Sequence, residues 1–142
     1  MVAPFMLPAS HPLANVHDVF NGVFVHGNML GDAMFYGSGA GKLPTASAVV
    51  ADIVDIVKHK GINIFVEWKP EKVDLIDYKE SSSRFFVRTT SEKAEVEAVF
   101  GTVDYIEGVV EGEIAFTTES MTEADFAKKA EMIAMVSRIR LA

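Results

Sequence analysis

Met34-Phe35-Tyr36-Gly37-Ser38-Gly39-Ala40-Gly41-Lys42-Leu43-Pro44-Thr45-Ala46-Ser47-Ala48-Val49-Val50-Ala51-Asp52 joins a short apolar strand to an amphipathic helix through three alternating glycines. Glycine at 37, 39 and 41 removes every second Cβ and permits positive φ. It also leaves N–H groups exposed ahead of a helix N-terminus, where they can face an anion or the polar edge of a ligand. Pro44 suits a first helical turn, and Thr45 or Ser47 can satisfy its free donors.

Two generic phosphate motifs fail on this loop. A Walker-type loop ending at Gly41-Lys42 needs Gly at position 36 and Ser or Thr at 43, where the chain has Tyr36 and Leu43. A dinucleotide fingerprint begun at Gly37 meets Lys42 in place of its third glycine, and one begun at Gly39 meets Pro44. Taken alone, a glycine-rich strand-to-helix turn serves tight packing more often than ligand contact, and both readings stay open.

Outward from the loop, Val19 to His26 alternates with Phe20, Gly22, Phe24 and His26 on one face and Val19, Val23 and Val25 on the other, so both faces should be covered. Gly27-Asn28 is turn chemistry, and Ala33 to Tyr36 should pair back antiparallel. Val2 to Leu7, broken by Pro4 and closed by Pro8, suits an edge strand. Ala46, Val49, Val50, Ile53, Val54 and Val57 recur at helical spacing over Pro44 to Lys58, and Gly61 stops that helix. Residues 63–82, with mixed charge, Pro70 and a serine run, read as a linker with short strand pieces at Ile64 to Trp68 and Val73 to Ile76.

The last sixty residues read as strand, helix, strand, strand, helix, strand: Arg84 to Thr89, Glu92 to Phe100, Val103 to Val110, Glu113 to Thr118, Glu123 to Val136 and Ser137 to Leu141. This is a ferredoxin-like βαββαβ order, with Thr122 and Asp125 as the cap of the second helix. The fold class is therefore α+β: a small antiparallel sheet with one long helix, then a ferredoxin-like unit. Domain limits fall at 1–62, 63–82 for the linker, and 83–142.

Composition narrows the function. The 142 residues carry 13 basic and 20 acidic side chains, a net charge of −7 with no Lys/Arg cluster, which speaks against nucleic acid as a partner. Without cysteine there is neither a disulfide framework nor a thiolate metal site. No long apolar run suggests a leader or a membrane span, so the reading is a soluble, cytoplasmic protein. The four histidines, His11, His17, His26 and His59, are scattered without carboxylate pairs at ligand spacing, so no metal is expected. His11 before Pro12 is better placed to fix a turn than to carry protons. No nucleophile for covalent catalysis stands out.

The longer pattern Gly37-x-Gly39-Ala40-Gly41-x-x-Pro44-Thr45-Ala46-Ser47-Ala48-Val49-Val50-x-Asp52, preceded by His11-Pro12-Leu13-Ala14-x-Val16 and Val19-Phe20-Asn21-x-Val23-Phe24-Val25, resembles the end of the catalytic region of homoserine dehydrogenase. The order and spacing of all three blocks agree. The resemblance covers residues 1 to about 60, and from about Ser83 the tail resembles, more loosely, the ACT regulatory domain of that family. It implies an enzyme that reduces aspartate semialdehyde to homoserine with NADPH or NADH, in threonine, methionine and isoleucine biosynthesis. It also implies that Gly39, Gly41 and Thr45 lie against the nicotinamide end of that cofactor, and that the antiparallel strands belong to a dimerising sheet.

The same resemblance implies that this chain is a C-terminal piece. The family's N-terminal nucleotide-binding domain and its catalytic lysine and aspartate have no counterpart here, so catalytic residues are not assigned and the piece alone should be inactive. ACT domains commonly carry an Asp-x-Pro-Gly turn after their first strand. Here the run is Thr90-Ser91-Glu92-Lys93-Ala94, so an effector site for threonine and a purely dimerising role are both open. A homo-oligomer is expected either way.

Overall fold

The computed structural model describes residues 1–62, 67–108 and 110–142. In chain order the elements are β1 (Phe5–Met6), a 3-10 turn (Pro12–Asn15), β2 (Phe20–Gly27), β3 (Gly31–Ser38), α1 (Lys42–Lys58), a second 3-10 turn (Tyr78–Glu80), β4 (Ser82–Thr89), α2 (Lys93–Phe100), β5 (Asp104–Ile106), β6 (Ile114–Thr117), β7 (Met121–Thr122), α3 (Glu123–Ala130) and β8 (Met135–Leu141). They form two compact units, Ala9–Lys72 and Met1–Pro8 with Val73–Ala142.

In the unit Ala9–Lys72, β2 and β3 form an antiparallel hairpin in unbroken register from Phe20↔Ser38 to Gly27↔Gly31. Gly31 takes a positive φ of 74° where the chain turns back. One face of the hairpin is packed: a Cβ on Gly22 would meet Leu13 at 2.7 Å, Met34 at 3.0 Å and Val16 at 3.1 Å, and the His11 ring tilts against Phe24 at 5.1 Å. The expectation of cover on both faces does not hold within the described residues. Val23 and Val25 on the opposite face are 59% and 44% exposed, because the 3-10 turn reaches one side only.

Helix α1 begins at Lys42, two residues before the expected Pro44, because Gly41 with φ 114° and ψ 157° acts as its N-cap. Pro44 then falls third in the helix, where its missing N–H still costs no intrahelical bond. None of the helix's residues is buried, so the apolar stripe that the spacing predicts is formed but left open. Gly61 adopts φ 82° just beyond the helix, as a terminating glycine should.

In the other unit, the strands β8-β4-β6-β5 are hydrogen-bonded in that order and every neighbouring pair is antiparallel. This is the 4-1-3-2 arrangement that the βαββαβ order specifies. Odd-numbered residues of β4 face the helices. Phe85 and Val87 from β4, Phe116 from β6, Val96 from α2 and Phe126 from α3 make the buried core. Phe85 and Phe126 stack with centroids 4.0 Å apart, and Phe100 meets Phe116 edge-on at 5.3 Å.

Several boundaries move. β1 pairs in parallel with the end of β8, Phe5↔Arg140 and Met6↔Leu141, so the first eight residues join the second unit rather than the rest of 1–62. The expected linker ends early, since Tyr78–Glu80 forms a 3-10 turn and β4 starts at Ser82. Val73 to Ile76 is not a strand; residues 64–66 of the other expected piece lie outside the described residues. The strand expected over 103–110 spans Asp104–Ile106, with residue 109 outside the described set. The helix expected to reach Val136 stops at Ala130. Met135 opens β8 because the Ala134 carbonyl is claimed by the Thr90 N–H at 3.1 Å and the Thr89 hydroxyl at 2.9 Å. An apolar run such as Met132 to Val136 does not by its periodicity distinguish helix from strand.

Candidate functional site

The three residues implied as cofactor contacts lie on one continuous stretch where β3 passes into α1. Gly41 is the hinge. Its carbonyl accepts both the Thr45 N–H at 3.2 Å and the Thr45 hydroxyl at 2.9 Å, closing the first helical turn. Thr45 therefore spends its hydroxyl on the carbonyl of the cap, instead of accepting from a first-turn N–H as the sequence suggested. Of the first-turn residues, Pro44 has no N–H and the Thr45 N–H is taken by Gly41, and no side chain caps the amides of Lys42 and Leu43.

Gly41 is held by its dihedral angles, whereas Gly39 is crowded by a neighbour. Its φ is not positive, but a Cβ there would collide with the Asn21 carboxamide and stand 3.0 Å from Asn21 Cγ. Asn21 itself pairs with Gly37 across the hairpin and donates from Nδ2 to the Val19 carbonyl at 3.4 Å. The close approach that the alternating glycines permit is thus, at position 39, an approach to the chain's own carboxamide. Sequence reasoning missed Asn21; its position two residues into a strand facing a glycine loop was the available signal. At Gly37 nothing lies within 4 Å of a Cβ, so that glycine faces open space.

The surface around the loop is apolar. Phe35, Tyr36 and Leu43 are 68%, 55% and 78% exposed, with Tyr36 stacked on Phe20 at 5.0 Å. Along α1, Val50, Ile53, Ile56 and Val57 are all more than half exposed. Exposed large apolar side chains therefore flank the turn on both β3 and α1.

Histidines take local roles. His11 Nδ1 accepts the Leu13 N–H at 3.1 Å, fixing the 3-10 turn, and His26 faces Asp32 across the hairpin at 2.5 Å. His59 Nδ1 lies 3.2 Å from the Asp55 carboxylate one helical turn back. No group of three or more metal-ligating side chains occurs among the described residues.

In the βαββαβ unit, the run 90–94 between β4 and α2 is tied by hydrogen bonds to Thr89, Glu95 and Ala134. The Thr90 N–H goes to Ala134, the Ser91 N–H to Thr89 Oγ1 at 3.0 Å, and the Glu92 N–H to Glu95 Oε2 at 3.3 Å. Ser91 Oγ accepts from the Ala134 N–H at 3.1 Å, and Glu92 with Glu95 forms a capping box on α2. Those donors are occupied by the fold.

Residues 1–54 match the family model described as homoserine dehydrogenase. A homoserine dehydrogenase of Lactococcus lactis is 58% identical over 59 residues, 42% of this chain and 14% of that protein. One from Corynebacterium glutamicum is 32% identical over 146 aligned positions, covering 93% of this chain and 33% of that protein. Among solved structures, a homoserine dehydrogenase from Thiobacillus denitrificans superposes with a TM-score of 0.75 at 25% identity, over 99% of this chain and 38% of that one. The chain thus spans a third or less of the length of these two curated relatives. No helix among the described residues is long and apolar enough to cross a membrane.

Proposed function

We propose, from the homoserine dehydrogenase sequence that residues 1–54 carry, that this chain is the C-terminal part of an NAD(P)-dependent homoserine dehydrogenase. That enzyme reduces aspartate semialdehyde to homoserine in the cytoplasm, in the biosynthesis of threonine, methionine and isoleucine. The observation that carries the reading is the Gly37–Thr45 turn: exposed, glycine-rich, and capping α1 without a side-chain acceptor on its first amides. Gly41 and Thr45 approach the nicotinamide end of NADPH or NADH. Gly39 shapes the turn that brings them there.

The 142 residues do not turn over by themselves, since hydride transfer needs a nucleotide-binding half and the family's lysine and aspartate from further polypeptide. The exposed apolar surface of α1 and of the outer face of the hairpin supports this, as the surface that such a half and a second subunit cover. The test is to assay the complete product of the gene with aspartate semialdehyde and each nicotinamide cofactor. Turnover is expected, and a Gly41→Val variant should raise KM for the cofactor, because φ 114° excludes a β-branched side chain. Absence of turnover with both cofactors removes the reading; unchanged kinetics in the variant removes the loop assignment.

A second reading, that the chain acts as a non-catalytic ACT-type amino-acid-binding or dimerisation module, is favoured by one observation: the βαββαβ unit has its own closed aromatic core. The closed run 90–94 favours dimerisation over effector binding. Calorimetry with threonine, alongside light scattering for mass, separates the two versions, and neither binding nor association leaves neither standing.

A further inference from the structure

In the unit Met1–Pro8 with Val73–Ala142, the second 3-10 turn, the first two turns of α3 and the middle of β8 enclose a cleft of about 250 Å³, lined by Tyr78, Lys79, Glu123, Ala124, Ala127 and Arg138. At roughly 30 Å³ per water, that space holds about eight waters or one small organic anion. The two alanines leave the floor without a long side chain, and the charged groups stand at its walls.

Charge decides what such a cleft takes. Glu123 is buried at 3% exposure and bonded by two guanidiniums: Arg140 Nε donates to Oε1, and Arg138 Nη1 to Oε2 at 3.3 Å. Arg140 balances the carboxylate. Arg138 uses one nitrogen on Glu123, its guanidinium carbon 4.8 Å from the Phe126 ring centroid, and its Nε and Nη2 have no protein partner among the described residues. Lys79 brings an ammonium charge with no carboxylate within ion-pair distance among the described residues; Asp77 beside it accepts the Lys79 backbone N–H at 3.0 Å instead. Three cations, Arg138, Arg140 and Lys79, thus gather near the buried Glu123, with Asp77 as the acidic neighbour of Lys79.

We propose that this cleft binds a small dianion, a dicarboxylate or a phosphate, between the Lys79 ammonium and the free donors of Arg138. An oxyanion there completes the guanidinium's hydrogen bonding on the side away from Glu123 and meets the Lys79 ammonium, which has no carboxylate in ion-pair distance among the described residues. The site is separate from the run 90–94 and from the glycine turn, and it does not rest on the dehydrogenase reading.

The test titrates the full chain with succinate, inorganic phosphate and, at matched ionic strength, sodium chloride, following backbone amide shifts. Saturable shifts at Lys79, Ala124 and Ala127 with succinate, phosphate or both are expected, and which anion saturates identifies the source. Lys79→Gln, an exposed turn position, should weaken binding about tenfold with the fold intact. Arg138→Lys should weaken it as well, by losing the fork while keeping the charge. Shifts no larger than those of chloride, or unchanged affinity in Lys79→Gln, overturn the proposal.

Discussion

The Asn21 carboxamide fills the place where a side chain at Gly39 would stand, with Cγ only 3.0 Å from the position of a Cβ. The glycine is therefore set by a neighbour and not by its own dihedral angles. Asn21 is exposed and the colliding amide is the end of its side chain, so Gly39→Ala should turn the carboxamide aside at a cost of about 1 kcal/mol or less. Asn21→Ala should relieve the clash, so the double variant should be more stable than the sum of the singles by about 0.5 kcal/mol. Denaturant unfolding of the four proteins checks this. Strict additivity would show that the carboxamide does not set the loop.

The strand–turn–helix core of residues 20–58 was legible because its signals are local: alternation in β2, the Gly27-Asn28 turn, and Ala/Val spacing along α1. The reason for Gly39 was not, since it depends on a side chain eighteen residues away, brought close only by hairpin register. The edge strand expected within Val2 to Leu7 forms as β1. The same limit hid its partner, since the pairing with Arg140 and Leu141 joins opposite ends of the chain. It also hid the cleft beside Glu123, built from a presumed linker, a helix start and the last strand. In the tail, the order of elements was readable, but α3 was drawn too long. Its end is fixed by hydrogen bonds from Thr89 and Thr90 to Ala134, which no helical period reports.

Phe126 is the aromatic keystone of the βαββαβ unit, fully buried, stacked on Phe85 and tilted against Phe100 at 6.0 Å. Truncation opens a cavity between sheet and helix that neighbouring rings cannot close. Phe126→Ala should lower stability by about 3–5 kcal/mol, whereas Phe5→Ala, at a strand 39% exposed in that residue, should cost far less. Thermal unfolding followed by near-ultraviolet circular dichroism distinguishes them.

Tyr105 gives the unit a high-pH dependence. Its pKa is raised above 10, first by burial and then by the charge and hydrogen bond of Glu97, whose Oε1 accepts the phenol at 3.3 Å. A folded-state pKa above the unfolded value means that the neutral phenol is favoured by folding. Its stabilisation is complete below about pH 10 and is lost as pH rises through the raised value. Tyr105→Phe should therefore show a shallower loss of stability above pH 10 than the parent, and the same dependence below it. Parallel curves at high pH would remove Glu97 and burial as the cause.

Glu123 ties the start of α3 to the last strand. Its backbone N–H donates to the Ser81 carbonyl at 3.0 Å, while its carboxylate holds Arg138 and Arg140 from fifteen and seventeen residues ahead. Removing the carboxylate alone leaves two guanidiniums together, Arg140 at 13% exposure and Arg138 at 33%, with no counter-charge between them. A broken buried pair of this kind costs about 3–5 kcal/mol, less here because Arg138 reaches water, so Glu123→Ala should lose about 2–4 kcal/mol. Glu123→Gln keeps the shape and should recover part of that loss through its amide oxygen. The triple variant Glu123→Leu, Arg138→Met, Arg140→Met should unfold close to the parent, because it removes the desolvation cost along with the attraction. If the single and triple variants were equally destabilised, stacking of the guanidiniums on Phe126 and Phe5, and not their pairing with Glu123, would be what the cluster contributes.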